Sequence, residues 1–156
     1  MHWTEIPGLS QENMEQFFLD AMKPDSKMKH HGVIPEMDPR FVACDFENGT
    51  LEMAYDVKAW ELNPLDVIHG GMISTALDTT MGVLAHYYTH LSSPTVVTVT
   101  MNVSFLKPIV LGDTFHIKAQ LDSLGRTLAT VKAEVCLERG DVLACIATAT
   151  FMGVKE

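Results

Sequence analysis

From Gly70 to Tyr88 the chain reads GGMISTALDTTMGVLAHYY, and Asp78 is its one acidic or basic residue apart from His86. Met72, Ile73, Ala76, Leu77, Met81, Val83, Leu84, Tyr87 and Tyr88 fall on more than one helical face. A helix that is apolar nearly all round is buried rather than laid on a surface. This one is too short, and too interrupted by Thr, Ser and Asp, to span a bilayer. Whatever else the chain forms must therefore wrap this segment. An unpaired carboxylate is costly to bury, so Asp78 must neutralise, pair or do chemistry. Ser74, Thr79 or a neighbouring strand would hold it in a purely structural role.

The wrapping is supplied by strands. Phe41 to Glu47 and Thr50 to Val57 flank Asn48-Gly49. Asn-Gly between two such runs is a strong hairpin signal, because both residues accept positive φ. After the apolar segment come four strand-like runs: Thr95 to Leu106, Thr114 to Ser123, Thr127 to Glu138 and Val142 to Phe151. Gly112-Asp113, Leu124-Gly125-Arg126 and Arg139-Gly140-Asp141 separate them with turn chemistry. Alternation puts Val99, Met101, Val103 and Phe105 on one face. The order predicts an α+β domain in which a hairpin and an antiparallel meander curl around one long helix. Pairing the exposed sheet edge in a two-fold dimer is the expected way to manage it.

The N-terminal part is expected to be simpler. Ser10 caps a helix running through Met22, with Met14, Phe17, Phe18, Ala21 and Met22 at helical spacing. Lys23-Pro24-Asp25 ends it. SKMKHHGVIPEMDPR reads as a polar, Pro-punctuated loop. Adjacent His30 and His31 point apart and have no third ligand nearby, so no metal site is expected. The 156 residues fit one domain, divided into an N-terminal helix and loop (1–39) and a core (40–153). A net charge of -9 argues against nucleic acid and against an anionic membrane surface. It leaves room for a small anionic ligand held by a few local cations. Cys44, Cys136 and Cys145 are odd in number and lack CxxC spacing, as reduced core thiols of a cytoplasmic protein would. MHWTEIPGLS lacks the layout of a signal peptide.

His69-Gly70-Gly71 opens the long helix. Backbone N–H groups at a helix start point outward with positive dipole character, and glycine lets a ligand approach them. That suits a carbonyl oxygen becoming negative in a tetrahedral intermediate. A tight strand-to-helix corner would use the same residues. Asp78, deeper in the helix, suits a nucleophile or a general base for water.

Asn63, His69-Gly70-Gly71 and Asp78, with the following GRT turn and strands, resemble the hotdog-fold acyl-CoA thioesterases of the PaaI-like branch, which includes thioesterase superfamily member 2. The likeness covers about Phe41 to Met152. It implies a long central helix wrapped by a five- or six-stranded antiparallel sheet. It implies hydrolysis of an acyl-CoA to free acid and CoA, with Asp78 as nucleophile or base and no cofactor beyond the coenzyme A of the substrate. Gly70 and Asn63 would polarise the thioester carbonyl, His69 would orient the site, and Thr98 would assist the water. Gly71, Met81 and Gly82 would contact substrate, and Arg126 and Lys107 would meet the CoA phosphates. Homodimers or dimers of dimers are implied, with the site at the interface and Asp78 opposite the other subunit's glycines. Two alternatives are a non-catalytic acyl-CoA-binding or sensing domain and a hotdog hydratase or dehydratase.

Overall fold

The computed structural model describes residues 2–155. Three α-helices, Gln11–Ala21 (α1), Val33–Met37 (α2) and Gly70–Thr89 (α3), accompany six strands. The strands are Arg40–Asp45 (β1), Thr50–Asp56 (β2), Thr95–Phe105 (β3), Thr114–Leu124 (β4), Leu128–Leu137 (β5) and Val142–Val154 (β6). They form one antiparallel sheet in the order β1-β2-β4-β5-β6-β3. α3 packs on its concave face, against β2, β3, β4, β5 and β6. Ala76, Leu77, Met81, Leu84 and Ala85 have no exposed surface at all, as a helix apolar on most sides requires. No helix among the described residues is long and apolar enough to cross a membrane.

Three local expectations change. The 26–40 stretch contains α2 rather than only loop. Pro35 is tolerated there because it sits in the first turn, where its missing N–H has no intrahelical acceptor. At the hairpin, Gly49 has φ 63°, but Asn48 is not at positive φ. Asn48 instead donates its backbone and side-chain N–H groups to Asp45 (both 2.9 Å), so the loop is longer than two residues. The meander holds for β4, β5 and β6 only. β3 crosses to the far edge and pairs with β6, while β4 pairs with β2.

That crossing fixes the site. β3 is a long edge strand, and Val97, Val99 and Phe105 are about half exposed on it. Its ladder with β6 steps from Thr98↔Phe151 to Thr100↔Thr150, so Val99 is an extra, bulged residue. Past the bulge, Met101, Val103 and Phe105 face Ala149, Ala147 and Cys145, which are buried residues on the helix side. Thr98 faces buried Phe151 and so also turns toward the helix. Strict alternation would place Thr98 on the opposite face from Met101.

α1 is capped by Ser10, whose side chain accepts from the Asn13 N–H. It docks through buried Met14 and Phe18. Tyr88 Oη donates to the Phe46 carbonyl at 2.9 Å, tying α3 to the hairpin. The three cysteines are unpaired, and burial pushes the Cys145 thiol up to about 11. Buried Asp113 accepts from the Arg139 guanidinium and from the Val110 N–H, which hold its carboxyl below the usual range. A depressed carboxyl stabilises the fold above its ordinary pKa, and that stability is lost as pH falls through the folded value. Arg139→Ala is therefore expected to lower the thermal midpoint at neutral pH. The gap from the parent should narrow in melts below about pH 4, near the ordinary carboxyl value.

Candidate active site

Gly70 is the first residue of α3, and His69 is its N-cap. The His69 Nδ1 accepts the Gly71 N–H at 2.9 Å. Accepting there requires an unprotonated Nδ1, so neutral His69 carries its proton on Nε2. The Met72 and Ile73 N–H groups both donate to the His69 carbonyl. The Gly70 N–H has no acceptor among the described residues. Of the free donors at a helix start, local structure has consumed those of Gly71 to Ile73 and left the one at Gly70. This N–H, rather than that of Gly71, is available to an oxygen of a ligand.

The segment before the helix is held as tightly. The Asn63 N–H donates to the Val67 carbonyl (2.8 Å), and the Asn63 side-chain oxygen accepts from Leu65 N–H (2.9 Å). This is an Asx turn, which uses the oxygen of the side chain and leaves the Nδ2 donors over. The His69 N–H bonds the Glu61 carbonyl at 2.8 Å, and the Ile68 N–H bonds the Ile109 carbonyl at 2.8 Å. Burial raises the Glu61 carboxyl, which accepts the Lys58 N–H.

Asp78 is half-buried rather than sunk in the core. The single chain leaves its helical face uncovered. Its Oδ1 accepts a 2.6 Å hydrogen bond from Thr98 Oγ1, across from α3 to β3. The two residues expected to act together are thus in contact, through the bulge at Val99. Ser74 and Thr79, the helical neighbours considered as holders of the carboxylate, make no hydrogen bond to it among the described residues.

Within one chain Asp78 and the Gly70 N–H are apart. Eight residues of helix separate them by about 12 Å of axial rise. Met81 is fully buried, so in this chain it lines no slot. A Cβ on Gly82 would meet Phe151 at 3.3 Å, so Gly82 serves close helix–sheet packing. Of the three arginines, Arg40 and Arg139 are paired with Asp56 and Asp113. Arg126 forms no ion pair among the described residues, nor does Lys107. These two cations lie at opposite ends of the sheet. Leu128 sits in the row of Met152 and Val97, and Lys107 lies ten residues beyond Val97. That is roughly 30 Å of strand.

One residue not singled out from the sequence belongs to the site. The Phe105 ring rests on Gly70, where an added Cβ would come within 3.2 Å of it. Phe105 shares a 420 Å³ cleft with Gly70, Ile73 and Ile109. A sequence signal was present, since Phe105 closes the alternating run, but nothing in the run says what it covers. Among the described residues, no group of three or more His, Cys, Asp or Glu is placed to hold a metal ion.

A six-stranded antiparallel sheet around a long helix, with a glycine N–H free at the helix tip, defines a hotdog-fold protein. The thioesterase superfamily matches residues 65–144, just over half of the chain. The chain belongs to that superfamily. No curated protein sequence matches it. Among solved structures it is similar to the PaaI protein of the E. coli phenylacetic acid degradation operon, with TM-score 0.75 and 16% identity over 90% of this chain and 95% of that one. It is also similar to a putative thioesterase, a phenylacetic acid degradation-related protein of Ralstonia eutropha JMP134, with TM-score 0.72 and 27% identity over 87% and 98%. A Streptococcus mutans UA159 protein bound to acetyl CoA has TM-score 0.65 and 26% identity over 75% and 90%. The likeness shows a shared fold.

Proposed function

We propose that the protein hydrolyses acyl-CoA thioesters at a site shared by two copies of the chain. The observation that carries this reading is the selective capping at the start of α3. His69 takes the Gly71 N–H and leaves that of Gly70 for a ligand oxygen. An oxygen bonded there puts its carbon within roughly 4 Å of the nitrogen. Asp78 of the same chain, about 12 Å along the helix axis, cannot attack that carbon or activate a water beside it. Asp78 of a second copy can, if two β3 edges pair about a two-fold axis. The exposed β3 edge favours that pairing.

In this arrangement the Gly70 N–H and the Asn63 Nδ2 polarise the carbonyl, with His69 fixing the helix tip. The partner's Asp78 then either attacks the carbonyl carbon, giving a mixed anhydride that water cleaves to the free acid and the regenerated carboxylate, or takes a proton from a water that attacks directly. CoA leaves as its thiolate and receives the proton given up by that water. Thr98 holds the carboxylate through one oxygen and directs the other at the substrate. Antiparallel pairing of β3 also brings the Arg126 end of one chain to the Gly70 end of the other. One CoA then has its thioester on Gly70 and its phosphates near the partner's Arg126, a suitable anion contact. The acetyl CoA bound to the Streptococcus mutans protein supports CoA as the ligand class.

A thiol-release assay on a panel of acyl-CoAs tests this reading. Binding without turnover across the panel would leave a CoA-ester-binding domain instead. Thr98→Val is expected to lower kcat about tenfold, since a hydrogen bond to a charged group is worth ~1.5 kcal/mol or more. Thr98→Ser should retain most activity. Equal rates for the valine variant and the parent would remove Thr98 from the mechanism.

A further inference from the structure

We infer that the cleft beside Gly70 is the acyl-binding slot, and that Phe105 sets which acyl groups enter it. This rests on the hydrolase reading for the role of Gly70, but the slot itself is defined by its walls. Its volume is 420 Å³. Its deepest liners, Ile68, Ile73 and Ile109, are almost fully buried. Phe105 and Lys107 stand at the exposed mouth.

The backbone of the wall offers little to a polar guest. The Ile68 N–H is taken by Ile109, and the Leu106 and Lys107 N–H groups by the Ala144 carbonyl. Pro108 has none. The pantetheine arm of CoA carries two amides, which would lose their water partners in such a slot without replacement. An uncharged hydrocarbon loses nothing there. A carboxylate at the far end of the acyl group would sit among three isoleucines, with Lys107 at the wrong end of the slot. The geometry therefore directs the acyl group inward and the pantetheine arm outward. At ~30 Å³ for each water-sized group the slot holds about a dozen non-hydrogen atoms. Medium straight chains and arylacetyl groups fit, and they share one chemistry, a compact uncharged apolar body.

The core face of α3 offers no rival slot. Leu77, Met81 and Leu84 are fully buried core residues. Phe105, by contrast, is half exposed and lies flat on Gly70, so its size decides the width of the mouth where the carbonyl sits.

The test uses the full-length protein with Phe105→Trp and Phe105→Leu. Two readouts are taken: kcat/KM for acetyl-, octanoyl-, phenylacetyl- and glutaryl-CoA, and direct binding of S-ethyl- and S-octyl-CoA thioethers. The parent is expected to prefer octanoyl- and phenylacetyl-CoA over acetyl- and glutaryl-CoA at least tenfold, and S-octyl-CoA over S-ethyl-CoA similarly. Phe105→Trp should cut the octanoyl-to-acetyl and octyl-to-ethyl ratios at least tenfold. Phe105→Leu should relax the limit toward bulkier groups, and inhibition by free CoA should stay the same in both. Ratios unmoved by either variant would overturn the slot. So would weaker inhibition by free CoA, which would put the pantetheine arm in the cleft. Thioether selectivity without any turnover would keep the slot and reject the hydrolase reading. Turnover with unmoved ratios would do the reverse.

Discussion

Asp78→Asn is expected to lower kcat for acyl-CoA hydrolysis by about 10²- to 10⁴-fold, the range for removing a positioned acid–base group. The amide matches the carboxylate in shape, and its oxygen can still accept the Thr98 hydroxyl that Asp78 accepts at 2.6 Å. Asp78 is only half-buried, so no core contact is lost. The variant should therefore melt like the parent and bind CoA thioethers normally while failing to turn over. A KM effect alone, with kcat kept, would assign Asp78 to binding. Unchanged hydrolysis would remove it from the reaction altogether.

Gly70→Pro is expected to cost about 10²- to 10³-fold in kcat, the usual loss for one oxyanion donor. The substitution is unusually clean here. Proline is favoured at the first position of a helix, because the N–H it lacks has no intrahelical partner. His69, at φ -62° and ψ 133°, already has the extended backbone that a following proline demands. The change deletes one hydrogen-bond donor and crowds the half-exposed Phe105 ring. Gly70→Ala crowds the same ring but keeps the N–H, so it should lose far less. Equal losses in the two variants would show that space, rather than the donor, matters.

The two inactive variants should rescue each other. If each site takes Gly70 from one chain and Asp78 from the other, a mixed dimer of Asp78→Asn and Gly70→Pro has one intact site. After dissociation and random reassociation, about one quarter of the parent activity is expected from a two-fold dimer. No recovery after proven subunit exchange would place both groups of each site within one chain, against the 12 Å or so of helix between them.

Several parts of this arrangement are legible in the sequence. α3 was plain because an uncharged apolar run has few places to go but a core. The strand boundaries were plain because glycine-rich turns and β-branched runs alternate with little overlap. The HGG tip was legible as a helix start, but which N–H stays free was not. That depends on the exposed His69 ring folding back onto Gly71, where the Gly71 N–H holds it. α2 is not legible in the sequence, because the proline within it reads as a breaker unless its place in the first turn is known.

By itself the sequence determined the inventory: one buried helix, six strands, a glycine tip and a lone acid in the middle of the helix. Local chemistry sets each of these, since periodicity, caps and turn residues act over a few residues. The tertiary structure alone decided which strands are neighbours and which way Thr98 faces. β3 runs past β4 to the far edge, and one bulged residue reverses the alternation that would have turned Thr98 away from Asp78. It likewise put Phe105 on Gly70 and made the cleft beside it. Such contacts join residues far apart in the chain, and no short-range pattern encodes them.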